Sequence, residues 1–544
     1  MKMFIGPQIN RSQYFFLRET LEESIPADHP ARVFDYVLDQ HDWGQWRSGY
    51  PGGGRPAYPP EVMTKLLVYG YSIGIRSSRA LEHACRNSKD FIWLLSGRAP
   101  DHDTIADFRR CHAKQFKKIF RTTVAACVEA GMVVLTHLAV DGTRVEANNS
   151  DGQAKTAADI ETLLAKLDVR IEKIMVEAQA ADLREDTLFG KGVSPNNLPK
   201  ELKNLHRQQA RLKQALEKVK AKAAKAMEVQ SVSADKAAKK RVPIIDPDSD
   251  VMKNKQKGFG PNYTPYLGVD AESGVVTTEG VTCSHHDDDH LQPAIEESES
   301  NTGLKVGQVQ ADCDYATPAN ITYCEDRGID PCMAPVNTNL QSRKASREIP
   351  PWPAHVPATA CRVDGSAASG SSLPRTPEGK FDKSAFQYDA SSDSYVCPTG
   401  HRLTRRGTKV RRRHDGMTNR TVYRCSACKG CPFAPVCTSD RKGRSISREE
   451  TEEVHERQAE RMKDPQRKKD YKLRRQSVEP AFGVIKEVQR LRRFLLRGLE
   501  YVRGEWSLTT AGLNLKKLAR NGGVASVLAC DAGGALAMGG RIEG

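Results

Sequence analysis

Two short apolar stretches, each closed by an aspartate, constrain this chain more than any other feature. Val133 to Val140, in GMVVLTHLAVDGTRVEANNS, is rich in β-branched and apolar residues and reads as a buried strand. Asp141 follows at once, before Gly142. Val306 to Ala311 repeats the pattern and ends at Asp312. Between them, TPYLGVDAESGVVTTEGVTCS predicts two strands joined around Glu272–Gly274, a hairpin. DDDHLQPAIEES then predicts a helix. An Asp-Gly turn accounts for Asp141 taken alone. Two acids at the ends of two core strands, where the backbone emerges, ask for more.

Strand, hairpin, helix, strand is the order expected of a ribonuclease-H-like α/β core. A third acid stands in YKLRRQSVEPAFGVIKEVQRLRRFLLRGLEYVRGEW, where Val478, Phe482 and Ile485 recur at helical spacing around Glu479. Arg475 lies one turn before Glu479 and Lys486 two turns after it, so the three share a face if the helix runs through. Pro480 predicts that a helix begins or kinks at Glu479. A lone glutamate among cations is ordinarily a surface ion pair. Three acids in a basic chain match two-metal phosphoryl transfer, in which oxygen ligands hold two Mg²⁺ ions about 4 Å apart. The chain is basic: 83 Lys and Arg against 68 Asp and Glu, a net +15 that favours a polyanionic partner such as nucleic acid. No apolar run reaches the roughly 18 residues of a membrane span, and Met1–Ile25 lacks a signal-peptide core, so the expected location is cytoplasmic, with no membrane partner.

The remaining segments divide the chain further. Residues 1–130 predict a helical domain. It contains PPEVMTKLLVYGYSIGI, an N-cap at Ser77 or Ser78, and Thr104 and Asp107 in capping-box spacing. Its cationic last helix suits a helix-turn-helix-like DNA-binding unit, and a plain bundle fits as well. Residues 131–153 hold the first core strand. In 154–240, Ile160, Leu163, Leu167, Ile171 and Ile174, then Leu202, Leu205, Leu212, Leu216 and Val219, predict an antiparallel helical or coiled-coil insertion broken at FGKGVSPNNLP. Residues 241–340 continue the core, and 341–395, rich in Pro, Ser, Ala and Gly, predict a linker. In 396–440, Cys397, Cys428, Cys431 and Cys437 supply four thiolates, enough for a tetrahedral structural Zn²⁺ in a small zinc-ribbon-like insert. Cys425, in a CxxC with Cys428, competes for the fourth position. Arg411, Arg412 and Arg413 beside them predict a phosphate-backbone contact. Residues 441–520 supply the last core helices, and 521–544 a disordered tail. The cluster from His285 to His290 looks metal-like. Aspartates at a helix start are ordinary cap chemistry, however, and neighbours on a helix diverge.

Taken together, YPPEVMTKLLVYGYSIGIRSSRALE, PDHDTIADFR, LAVDGTRVEAN, VQADCDY, CPTGHRL…CKGCPFAPVC and VEPAFGVIKE…RRFLLRGLEYVRGEW resemble a DDE transposase of a bacterial insertion sequence. The closest group is the one named for insertion sequence eleven-eighty-two, and the resemblance covers most of residues 1–520. It implies a ribonuclease-H-like core, Mg²⁺ (or Mn²⁺) dependence and action on the terminal inverted repeats of double-stranded DNA. It also implies a triad at Asp141, Asp312 and Glu479. Tyr471, Arg475, Glu479 and Lys486 resemble the Tyr-Arg-Glu-Lys signature of related transposases, and Arg474 is the alternative arginine. Asp314 competes with Asp312, and Glu505 is the rival third acid. Both DNA ends must be held together, so a homodimer on DNA is expected. The alternative is a decayed or domesticated element that binds DNA without cutting it.

Overall fold

In the computed structural model the chain is described from residue 20 to residue 521, apart from 51–55, 150–152, 190–199, 231, 255–257, 335–349 and 414–415. The main sheet contains β1 (His137–Gly142), β2 (Gly258–Asp270), β3 (Val276–Thr282), β4 (Gln308–Ala311) and β5 (Asp330–Met333), in the spatial order β3-β2-β1-β4-β5. β2 is antiparallel to both neighbours, whereas β1, β4 and β5 run parallel. Short strands Val145–Glu146 and Asp250–Asn254 lengthen the pairing along β2. Helices Leu291–Thr302 and Pro318–Asp326 make the two crossovers that parallel neighbours require. This is the mixed α/β order expected from the sequence.

Leu138, Ala139 and Val140 are fully buried in succession, as a central strand covered on both faces demands. The strand starts later than Val133 because Leu135 adopts a φ of 56°, which ends extended pairing there. Helix Pro465–Gly483 packs across β1, β2, β4 and β5. Its Val478, Ala481 and Phe482, with Ile485 just beyond, are buried in the main core. Burying an aliphatic or phenyl side chain of this size is worth about 1.5–3 kcal/mol. The helix begins at Pro465, capped by Asp464, and not at Glu479; Pro480 is accommodated inside it. Beyond the helix, Val484–Val488 form a π-helical turn.

The N-terminal helices Pro30–Asp39, Pro60–Ser72, Ser78–Asn87, Lys89–Leu94, His102–Cys111 and Phe116–Glu129 share one continuous core with the sheet and with helix Leu499–Asn521. Asp101, not Thr104, caps the fifth of these, its side chain accepting from Thr104 N at 2.7 Å. The expected Thr104–Asp107 box is displaced because Thr104 already lies inside the first turn. Ser77 is the N-cap of its helix by position, without a side-chain bond.

Helices Ala157–Phe189 and Lys200–Gln230 pack against each other, burying Ile160, Leu167, Leu205, Leu212, Ala215 and Val219. The breaker at 190–199 and the tail from 522 lie outside the described residues. The linker expectation for 341–395 is corrected from Pro350 onward. Val356, Phe381 and Phe386 are buried in a second core with Tyr395, Leu403, Tyr423, Phe433 and Ile446. A five-stranded antiparallel sheet carries it: Gln387–Asp389, Ser394–Val396, Arg402–Arg413, Gly416–Cys425 and Ser445–Glu449. Residues that composition assigns to a linker thus help to close the cysteine-rich unit. A few widely spaced aromatics suffice to seed a core amid Pro, Ser and Gly.

Candidate active site

The parallel register pairs His137 with Gln308 and Ala139 with Gln310. Carried two residues further, it sets Asp141 beside Asp312, on strands spaced about 4.8 Å apart. Both carboxylates turn back onto their own backbone: Asp141 Oδ1 accepts from Gly142 N at 2.8 Å, and Asp312 Oδ1 from Cys313 N at 2.6 Å. Burial raises the Asp141 pKa; Arg474 and the Gly142 N–H oppose that, and Asp312 adds to it.

Helix Pro465–Gly483 crosses this end of the sheet and makes contact in sequence order. Tyr471 OH lies 3.4 Å from Asp312 Oδ1, and burial, with the Asp312 charge, pushes its phenol up to about 12. Arg474 Nη1 donates to Asp141 Oδ2 at 3.0 Å and is 5% exposed. Lys486, in the π-helical turn, bonds Thr143 just past β1. Glu479 sits between those last two anchors. Its side chain is 56% exposed and its nearest cation is Arg475 Nε, at 3.9 Å. Of the two arginines the signature allows, Arg474 therefore faces the strand-end acids and Arg475 faces outward beside Glu479. Among the described residues no group of three or more His, Cys, Asp or Glu side chains is arranged so that it could hold a metal ion as it stands.

The His285–His290 stretch diverges as expected. His285 Nε2 pairs with Asp250 at 2.9 Å, while His290 stacks on Tyr266 with ring centroids 4.7 Å apart. Asp287, which precedes the short 3₁₀ turn Asp288–His290, goes another way and packs against Gly142. Burial, then Asp141 and Asp314, push its pKa up to about 6. Asp287 is the N-cap of that turn by position but makes no side-chain cap bond, so ordinary cap chemistry does not account for it. Asp314 shares the Cys313–Tyr315 turn that Asp312 caps, and its Oδ1 is 3.7 Å from Cys313 Sγ.

Glu505 is a structural group and not a rival third acid. It is fully buried, with Oε1 2.7 Å from Arg76 Nη2 and Oε2 accepting from Leu495 N and Leu496 N at 2.9 and 3.0 Å. Arg76 also donates to the carbonyls of Arg490 and Arg493.

All described cysteines are free thiols. Cys397, Cys425, Cys428, Cys431 and Cys437 line one small cavity with Thr399, His401 and Arg444. Cys397 and Cys425 share a proton, which lowers the Cys397 thiol to about 5 and raises that of Cys425. Burial pushes Cys437 up to about 12. The neighbouring hairpin Arg402–Arg413/Gly416–Cys425 exposes Arg405, Arg406 and Lys409. Arg411, Arg412 and Arg413 lie on its outer end, paired with Thr418, Met417 and Gly416. Their side chains lie outside the described residues.

A mixed sheet with two strand-end aspartates under an arginine-bearing helix defines a candidate phosphoryl-transfer site. Residues 396–519 match the family model described as transposase DDE domain, and residues 19–111 match that described as transposase domain (DUF772). No curated protein and no solved structure matches the chain. The two family matches support a DDE transposase, a class with a ribonuclease-H-like core and, generally, a divalent metal and DNA as partner. Glu479, Arg474, Lys486 and the cavity cysteines fall inside the first match; Asp141 and Asp312 fall in neither. No helix is long and apolar enough to cross a membrane among the described residues.

Proposed function

We propose that this chain is the transposase of an insertion sequence of the eleven-eighty-two group, cutting DNA at terminal inverted repeats and joining the freed 3′-hydroxyls to target DNA. The observation that carries this reading is the pairing of Asp141 and Asp312 on adjacent parallel strand ends, beneath a helix within the DDE match. Asp141, Asp312 and Glu479 would hold Mg²⁺ or Mn²⁺. The donor set fits: hard carboxylate oxygens, two of them side by side. Bound there, the cations would supply Lewis-acid stabilisation of phosphate charge. Arg474 aims Asp141 through its 3.0 Å bond, and Tyr471 stands beside Asp312. Arg475, Lys486 and Arg411–Arg413 hold phosphates of the DNA backbone, and two copies hold the two ends. The test is cleavage of a supercoiled plasmid carrying the gene and its native flanks. Wild type should cut at the element ends only with Mg²⁺ or Mn²⁺, and Asp312→Asn should bind the ends without cutting. End binding without cutting by wild type would replace this reading with a non-catalytic DNA-binding one.

We further infer that the cysteine-lined cavity takes one structural Zn²⁺. The support is five free thiols on one small, core-forming unit. Elemental analysis of the purified chain should find about one zinc per chain, and Cys428→Ser combined with Cys431→Ser should lose it and unfold the second core. A zinc-free wild type with that core intact would dismiss the metal.

A further inference from the structure

Asp287 reaches the Asp141 end of β1 from outside the recognised triad. A Cβ placed on Gly142 would meet Asp287 Oδ1 at 3.2 Å and Tyr315 OH at 3.6 Å. The bare glycine thus lets a carboxylate and a phenol close over the residue next to Asp141. Tyr315 is 1% exposed, and its hydroxyl has no hydrogen-bond partner among the described residues. A buried phenol normally finds one, so this hydroxyl is free to serve a polar group beside Gly142. Among the described residues no Lys or Arg forms an ion pair with Asp287. Asp141, Asp314 and Asp288 act on it as like charges, and Arg144 opposes them. Carboxylates crowded at a half-buried strand end, with an unpartnered hydroxyl beside them, are stabilised when a cation joins them.

We propose that Asp287 is a further carboxylate ligand of the divalent cation at Asp141, and that Tyr315 is a positioning residue whose hydroxyl steadies the liganded carboxylate. This rests on the reading that Asp141 holds a divalent cation. The ligand class is a hard, oxygen-seeking dication, Mg²⁺ or Mn²⁺.

The test is Mn²⁺ binding to the full chain without DNA, followed by electron paramagnetic resonance of the free ion. Asp287→Asn should weaken binding about tenfold or more, and Gly142→Ala should weaken it too, because the new methyl displaces the Asp287 carboxylate. Asp289→Asn, an exposed acid of the same turn, should bind as wild type. Melting without metal should show Asp287→Asn folded and at least as stable as wild type, since one of several like charges is gone. Asp287→Asn binding Mn²⁺ as wild type does, while Asp141→Asn has lost it, would overturn the inference and leave the transposase reading standing. Equal losses in Asp287→Asn and Asp289→Asn would overturn it as well, by exposing a general charge effect. Full binding by Asp141→Asn would overturn both readings.

Discussion

Glu479→Gln is expected to abolish strand cleavage at the element ends while leaving end binding and folding unchanged. Glutamine keeps the length of the side chain and one oxygen, but removes the charge a hard cation requires. Removing one charge-stabilising group from a polar active site commonly costs about 10²–10³ in rate, and a ligand shared by the reacting phosphate should cost at least that. Stability should hardly move. The side chain is 56% exposed and its one described ion pair, with Arg475, is long, at 3.9 Å. Exposed substitutions of this kind stay within about 0.5 kcal/mol. The measurement is a gel assay of plasmid cleavage beside a shift assay on an end fragment. Cleavage by the variant at the wild-type rate would remove Glu479 from the site.

Glu505→Ala has the opposite signature, a fold that fails before any chemistry can be assayed. Its carboxylate is the only described anion paired with buried Arg76, and it also receives two backbone N–H groups from Leu495 and Leu496. Deleting one side of a buried pair costs about 3–5 kcal/mol, because the other charge stays buried without compensation. Against a total stability of about 5–15 kcal/mol, that is a large share. Urea unfolding of the full chain should show a midpoint lowered in proportion, with loss of soluble protein at 37 °C as the milder sign. A midpoint equal to wild type would mean that Arg76 finds another partner in the loop at 490–496.

The two carboxylates 26 positions apart in sequence, Glu479 and Glu505, looked comparable because sequence shows charge and spacing but not depth. Depth separates them. The parts of the fold carried by local pattern were legible: the hairpin around Gly274, the paired insertion helices, and the apolar strands ending at Asp141 and Asp312. Features set by tertiary contact were not. Arg474 and Arg475 are adjacent and chemically identical, and only the rotation of the helix against the sheet sends the first to Asp141. The metal-like signal that Asp287 shares with its neighbours reads as cap chemistry, since nothing in the sequence ties it to the missing side chain at Gly142. The unit from Pro350 to Glu449 was mistaken for a linker in its first half because its aromatics lie too far apart to form a period.

Arg76, between helices Pro60–Ser72 and Ser78–Asn87, fastens the carbonyls of Arg490 and Arg493, on the stretch that follows the Glu479 helix. Lys117 does likewise across the molecule, pairing with the buried Glu279 of β3 at 3.0 Å. The front of this chain is therefore not a detachable module. Exchanging it wholesale for the equivalent segment of another element would withdraw the counter-charges of Glu279 and Glu505 together. Under the transposase reading proposed above, substitutions in this segment meant to change DNA recognition have to stay on the outer surfaces of those helices, with the inward-facing cations kept in place.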